Sequence, residues 1–148
     1  MPGSDIEFGS AVVDASVVVR WIVPEKGTSQ ALALLGRSID WIAPRLMLSE
    51  VAGALRRKVV AGELTAGLAG QGLDFVLGMV ARGAMRLDND ESVIRSALAL
   101  SLAHRHKVPD CLYLALAEKA GVALATADLR LSEIAHARQL RIVLVPSA

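Results

Sequence analysis

The arrangement of short apolar segments constrains the fold of this chain more than any other feature of its sequence. Five short segments are largely apolar on both faces, and longer helical patterns separate them. Strands that are apolar on both faces are covered by helices on both sides, and helices between strands favour parallel pairing. The sequence therefore predicts an α/β fold around a mostly parallel sheet of four to five short strands, at residues 12–13, 39–43, 85–88, 122–125 and 141–145.

Seven further segments have the spacing of apolar residues that is typical of helices. In the segment 46–60, Leu48, Ala52, Leu55 and Val59 form one stripe at helical spacing, which predicts the buried face of that helix. The predicted helices cover residues 17–23, 28–37, 46–60, 65–82, 92–106, 110–120 and 131–139.

Length and composition predict a single domain with an aliphatic core. The chain has 148 residues, which fits one domain. We expect residues 1–10, which are polar and contain glycine, to form a flexible N-terminal segment, and residues 11–148 to form the domain. Hydrophobic residues make up 53% of the chain but aromatic residues only 3%. The core is therefore built from Ala, Val, Leu and Ile, and a sheet that stacks bases on aromatic rings is disfavoured.

Charge and cysteine content exclude other classes of protein. The net charge of +1 is not that of a protein that coats DNA without specificity. Cys111 is the single cysteine, which excludes an internal disulfide and a cysteine-based zinc site. Because there is no signal-peptide pattern and no run of about 20 apolar residues, we expect a cytoplasmic protein that does not enter a membrane.

Four carboxylates lie where predicted strands end or predicted helices begin. Asp14 and Asp128 follow strands, whereas Glu50 and Asp110 lie near helix starts. Each one alone is explained as well by a helix cap or by attraction to the helix dipole. Taken together they share one location, because sites in open parallel sheets form outside the carboxyl ends of the strands. We therefore predict that the four side chains converge.

A convergent group of carboxylates needs a counter-ion. Two like charges about 4 Å apart repel each other by roughly 4 kcal/mol at an effective dielectric constant near 20. All-oxygen ligands suit Mg²⁺ or Mn²⁺, and such an ion can activate water for attack on a phosphate. The sequence therefore predicts a Mg²⁺ site, with Mn²⁺ as the alternative ion, whose ligands are Asp14, Glu50, Asp110 and Asp128.

Two hydroxyl side chains adjoin these acids. Ser16 lies two residues after Asp14, and Thr126 lies two residues before Asp128. Each can hydrogen-bond a carboxylate or a phosphate, which makes both residues candidate members of a catalytic site. A role in a local turn or cap explains each of them equally well.

Histidine and basic residues give weaker predictions. His104 and His106 are two positions apart on a predicted helix and point to different sides, which favours solvated or capping roles over metal binding. The basic run 56–58 is more typical of a solvated helix face than of a phosphate-binding patch. Arg20 and Arg130 are close to the acids in sequence and are comparable phosphate-binding candidates.

Four blocks of sequence follow one another in an order that is more specific than any single motif. They are VVDASVVVRWIVPE at 12–25, APRLMLSEVAGALRR at 43–57, VPDCLYLALAEKAGVALATADLRL at 108–131 and RIVLVP at 141–146. On these blocks the chain resembles the PIN-domain nucleases, most closely the VapC-type toxins of bacterial toxin–antitoxin pairs. The sequence Pro-Asp-Cys around Asp110 departs from the commoner Tyr-Asp-Ala, but it keeps the carboxylate.

The resemblance implies a three-layer α/β/α sandwich and an endoribonuclease that cleaves RNA phosphodiester bonds with Mg²⁺ or Mn²⁺. It also implies that the protein acts as the toxin of a toxin–antitoxin pair and forms a homodimer. Its partner would be a cognate VapB-type antitoxin, whose C-terminal segment lies in an apolar groove of the toxin and reaches the acidic site.

Two other classes of protein share parts of this pattern. A phosphoacceptor domain of the receiver type also places acids and a threonine at strand ends, but it needs a lysine after the last strand, and here Pro146-Ser147-Ala148 follows. A non-catalytic binding module with the same fold need not bind metal, yet all four acids are present. Both classes stay open as alternatives on the sequence alone.

Overall fold

The computed structural model describes residues 9–147. The predicted flexible segment 1–10 lies outside these residues except for its last two, and Ser10 already begins a strand. The strands are β1 (Ser10–Val13), β2 (Asp40–Pro44), β3 (Met85–Asp88), β4 (Ala123–Thr126) and β5 (Ile142–Leu144).

Seven α-helices occupy the described part of the chain. The predicted helix 92–106 is shorter than expected, because a 3-10 turn forms at Asp90–Ser92 and Arg105 takes a left-handed φ of 53° that ends the helix at His104. The helices are α1 (Ala15–Ile22), α2 (Thr28–Leu35), α3 (Leu46–Val60), α4 (Ala66–Ala81), α5 (Ile94–His104), α6 (Val108–Ala120) and α7 (Leu129–Ala137).

The five strands form one parallel sheet in the order β3-β2-β1-β4-β5. The central strand β1 pairs with β2 and with β4, so that Val12 lies opposite both Ile42 and Leu124. Along the chain, β2 and β3 are added on one side of β1, and β4 and β5 are then added on its other side. The order therefore reverses between β1 and β4, and the crevice outside their carboxyl ends is the usual place for a site in such a sheet.

Helices cover both faces of the sheet. Helices α1 to α4 contact one another, and α5 to α7 contact one another, as right-handed crossovers in the two directions require. Helix α6 is buried from Asp110 to Ala117, and it packs on β1, β2 and β4. The predicted α/β/α sandwich is therefore confirmed.

The predicted buried stripe of α3 is confirmed at Leu55 but wrong at Ala52. The buried face consists of Met47, Val51 and Leu55, one helical turn apart, whereas Ala52 is exposed. Helix α3 is thus rotated relative to the prediction: Met47 and Val51 are buried in the core, whereas Leu48 packs against it only partly buried. Within residues 9–147, no helix combines the length and the apolar character that crossing a membrane would need.

Candidate active site

The four predicted carboxylates meet at the crevice between β1 and β4. Asp14 follows β1, Asp128 follows the end of β4, Asp110 lies in the first turn of α6, and Glu50 lies near the start of α3. All four line one cavity of about 410 Å³. The structure therefore brings together every acid that the sequence singles out.

Asp14 is the most deeply placed of these acids, with 6% of the residue exposed. Its N–H donates to the carbonyl of Ala125 at 2.9 Å, which extends the pairing of β1 with β4. Its Oδ2 accepts hydrogen bonds from Ser16 Oγ at 2.6 Å and from Thr126 Oγ1 at 2.8 Å. Although Asp14 occupies the N-cap position of α1, its side chain makes no capping hydrogen bond. The cap interpretation is therefore wrong for this residue.

The two hydroxyl residues hold the turn after β4 against Asp14. The N–H of Ala127 donates to Ser16 Oγ at 2.9 Å, and the N–H of Asp128 donates to Thr126 Oγ1 at 3.0 Å. Each hydroxyl thus donates to the Asp14 carboxylate and accepts from the backbone of the turn. This arrangement supports a positioning role for both residues, and their part in catalysis stays a prediction.

Asp128 serves both local structure and the site. Its Oδ1 accepts from the N–H of Leu131 at 3.1 Å, so the cap interpretation is right for this residue. Its Oδ2 lies 3.9 Å from Nε2 of His106. One carboxylate oxygen therefore fixes the start of α7, and the other belongs to the acidic group.

His106 lies within the acidic group, so its interpretation as a solvated or capping residue is wrong. Its Nε2 is 2.8 Å from Oδ2 of Asp110. Because α5 ends at His104, His106 belongs to the connection into α6 and its ring turns toward the acids. The sequence carried one signal of this contact, the separation of four residues between His106 and Asp110.

Tyr113 is a second residue that sequence reasoning missed. It is fully buried, and its hydroxyl donates to Oε1 of Glu50 at 2.6 Å, which joins α6 to α3. Burial raises the pKa of Tyr113 far above its usual range, so the hydroxyl keeps its proton and stays a donor. A tyrosine within an apolar helical block is indistinguishable from an ordinary core residue, and the sequence offered no signal of this role.

Burial raises the pKa of three of the carboxyls, those of Asp14, Glu50 and Asp110, above their ordinary values. Neighbouring carboxylates raise these pKa values further, since Asp14 faces Glu50 and Asp128 while Asp110 faces Asp14. Oxygen donors that repel one another in a partly buried cavity are the donor set that a hard divalent cation relieves. The residues present therefore fit such an ion.

Positive charge lies at the rim of the acidic cavity. Arg57 and Lys107 line it, and Lys107 Nζ is 3.9 Å from Oδ2 of Asp110. Arg57 also lines an adjoining cavity of about 470 Å³, together with Lys58. Arg20 lines that second cavity too, but its guanidinium already donates to two backbone carbonyls, those of Lys26 and Ser16, which disfavours its phosphate-binding interpretation.

A parallel sheet whose acids gather where the strand order reverses defines a class of small α/β proteins with an acidic site that fits a divalent cation. Residues 11–137 match the PIN domain family, and the chain belongs to that family. It is 33% identical over 122 residues to a protein named Ribonuclease VapC3 from Pyrobaculum aerophilum, a match that covers 82% of this chain and 92% of the relative. The resemblance inferred from the four sequence blocks is confirmed.

Solved structures agree on the fold. The protein PAE2754 from Pyrobaculum aerophilum matches with a TM-score of 0.64 at 20% identity, over 84% of this chain and 85% of that one. A chain of a toxin–antitoxin complex from Klebsiella pneumoniae matches with a TM-score of 0.55 at 18% identity, over 80% and 86% of the two chains. At these identities the likeness supports the architecture alone.

Neutralising Asp14 should separate stability from metal binding. We expect metal-free Asp14→Asn to be about 1 kcal/mol more stable than the wild type, because a buried, repelled charge is removed while the amide oxygen still accepts from both hydroxyls. The pKa of Asp14 is raised in the folded state, so ionisation destabilises the fold as pH rises through that value. The stability difference should therefore vanish below about pH 4, where this carboxyl is protonated in both states.

Urea unfolding in EDTA across this pH range measures the effect, and melting temperatures with and without Mg²⁺ or Mn²⁺ measure binding. The ions should raise the melting temperature of the wild type but not that of the variant. If the metal-free variant were less stable than the metal-free wild type by more than about 2 kcal/mol, the Asp14 carboxylate would be a group that stabilises the fold, and not a metal ligand whose charge destabilises it.

Proposed function

We propose that this protein is a metal-dependent endoribonuclease that acts in the cytoplasm as the toxin of a VapBC-type toxin–antitoxin pair, through a single domain at residues 11–148. The observation that carries the proposal is the convergence of four carboxylates on one cavity in a chain of the PIN domain family. The relative named Ribonuclease VapC3 supports the predictions of a nuclease and of a VapC-type toxin.

We propose Mg²⁺ as the ion, with Mn²⁺ as the alternative. Bound at the acids, it would supply Lewis-acid activation of water and would neutralise charge at the phosphate. The protein's own contribution is to orient the ligands in advance through their hydrogen-bond partners. Two hydroxyls hold Asp14, Tyr113 holds Glu50, and a cap hydrogen bond holds Asp128.

An RNA substrate must bring its phosphates to a site that is itself negative. The rim provides the attraction, since Arg57 and Lys107 lie beside the acids and Lys107 is largely exposed. On the face of α3 that lines the cavity, only the small residues Gly53 and Ala54 lie between Glu50 and Arg57, which leaves room for the RNA backbone to approach. We propose that the groove formed by the two adjoining cavities accommodates the RNA strand.

The two alternative classes have less support. A receiver domain would require a lysine after β5, and the described residues that follow this strand are Val145, Pro146 and Ser147. A binding module would not need carboxyls whose pKa values are raised by burial and by one another. Measuring divalent-cation affinity distinguishes the binding module directly.

Cleavage of RNA should depend on both the metal and the acids. Purified protein with total cellular RNA should cut in Mg²⁺ or Mn²⁺, stop in EDTA and recover when the ion is returned. Asp14→Asn combined with Asp110→Asn should lower the rate at least about 100-fold, because both ligands and their charge are lost. Asp74→Asn, which changes an exposed acid of α4 away from the cavity, is the matched control. Cleavage that persists in EDTA or in the double variant would refute the proposal.

Two adjacent arginines of α3 allow the substrate path to be tested. We expect Arg57→Ala to raise KM for RNA about fivefold with little change in kcat. The slope of the logarithm of the RNA binding constant against the logarithm of the salt concentration should become shallower by about 0.7, as the loss of one phosphate contact predicts. Arg56→Ala should leave both unchanged, since Arg56 lies at an apolar groove between α3 and α4. Equal effects of the two substitutions would contradict the proposed path.

We also propose a homodimer and a VapB-type antitoxin partner. Helix α5 exposes Ile94, Leu98 and Leu102, one turn apart, at 43%, 52% and 73%, which is the surface proposed for contact between two copies. The groove between α3 and α4, about 300 Å³ in volume and lined by Leu55 and Leu73 among others, is the surface proposed for the antitoxin segment. Co-purification with the product of the neighbouring gene tests the second assignment.

Polar substitution of the α5 stripe should yield a monomer. Leu98→Gln with Leu102→Gln is expected to halve the mass measured by light scattering, because burial of these side chains would drive association. Leu77→Gln, at an exposed leucine of α4, is the control and should leave the mass unchanged. A wild-type protein that is already monomeric at micromolar concentration would exclude the dimer.

A further inference from the structure

His106 belongs to the acidic cluster but is not among the four acids assigned as ligands. His106, Asp110 and Asp128 each offer a ligand atom, and these three atoms lie within 4.8 Å of one another. The ring of His106 is mostly buried, with 12% of the side chain exposed. It is not part of the cavity lining, and it reaches the carboxylate oxygens from the connection between α5 and α6.

The backbone of this connection is fixed on both sides of the ring. The N–H of His106 donates to the carbonyl of Ser101 at 3.2 Å, and the Ser101 hydroxyl donates back to the carbonyl of His106. One residue earlier in the connection, Arg105 takes a left-handed conformation that few non-glycine residues adopt. The carbonyl of His104 accepts a hydrogen bond from Arg130 of α7 at 3.1 Å. The position of the imidazole is therefore set by the fold.

The distances at the ring match those between ligands of one ion. An octahedral ion with bonds of about 2.1 Å places neighbouring ligand atoms about 3 Å apart and opposite ones about 4 Å apart. Nε2 of His106 is 2.8 Å from Oδ2 of Asp110 and 3.9 Å from Oδ2 of Asp128. The same three atoms can therefore face a single ion without a large rearrangement.

We propose that His106 Nε2 is a direct nitrogen ligand of the cation held by Asp110 and Asp128, and that this ligand raises the affinity of the site for Mn²⁺ more than its affinity for Mg²⁺. Mg²⁺ is bound almost entirely by oxygen, whereas imidazole suits first-row transition ions. The inference rests on the proposed function only in requiring that a divalent cation binds at these acids. The same site still takes Mg²⁺ through its oxygen atoms.

The test uses Mn²⁺ as a spectroscopic probe and compares two neighbouring histidines. The wild type with Mn²⁺ should show imidazole-nitrogen coupling in pulsed EPR, and His106→Gln should lose it. In a competition titration, His106→Gln should lower the affinity for Mn²⁺ about tenfold and the affinity for Mg²⁺ by less than about threefold. His106→Asp, which restores an oxygen donor, should shift the preference toward Mg²⁺. His104→Gln is the matched control, since His104 is outside the cluster, and it should change none of these readings.

The outcomes separate this inference from the proposed function. If the wild type shows no nitrogen coupling, or if His106→Gln lowers the affinity for both ions equally, His106 only orients Asp110 by a hydrogen bond and the inference is wrong. Nitrogen coupling that survives in a folded His106→Gln protein also overturns it. A nitrogen-coupled Mn²⁺ site in a protein that cleaves no RNA would overturn the proposed function and leave the inference standing.

Discussion

The carboxylate of Asp14, buried between the two central strands, is the constraint on which the rest of the site depends. Its backbone continues the pairing of β1 with β4, and its Oδ2 accepts hydrogen bonds from hydroxyls that belong to α1 and β4. Those two hydroxyls in turn receive N–H groups from the turn that carries Asp128. Asp14 therefore fixes the relative position of two acids that are more than a hundred residues apart in sequence.

This arrangement is held against electrostatic repulsion. Burial and neighbouring carboxylates both raise the pKa of Asp14, and the two hydroxyl hydrogen bonds oppose the rise without cancelling it. In the absence of a cation the site thus destabilises the fold, and the sheet and its covering helices keep the acids together. Stability given up at a functional site in this way is common, because the same charges that repel one another attract the ligand.

The sequence predicted those parts of the structure that strand ends determine. Strand ends place Asp14 and Asp128, so a correct sheet was sufficient to predict both. Glu50 depends on the rotation of α3, and there the apolar pattern was ambiguous: Met47, Val51 and Leu55 proved to be the buried row rather than the one beginning at Leu48. Glu50 reaches the cavity because it lies beside the observed row, next to Val51 and one turn after Met47, whereas the predicted row lies on the opposite face of the helix from Glu50.

The hydrogen-bond partners of the acids were not predictable in the same way, because they depend on where single helices end. The sequence around His106 continues an Ala- and Leu-rich helical pattern, and nothing in it shows that Arg105 takes a left-handed conformation. With α5 ended at His104, the imidazole of His106 faces Asp110. Tyr113 is likewise visible only once α6 is known to pass beside Glu50.

Tyr113 lies within α6 and His106 lies two residues before it, and these locations decide how each residue tolerates substitution. Helix α6 is buried from Asp110 to Ala117 and packs on three strands, so Tyr113 cannot change without disturbing the core. His106 lies in a connection, where substitution affects fewer packed neighbours. The charge of the site is therefore tied to the core of the fold, whereas a substitution of His106 should disturb that core less than a substitution of Tyr113.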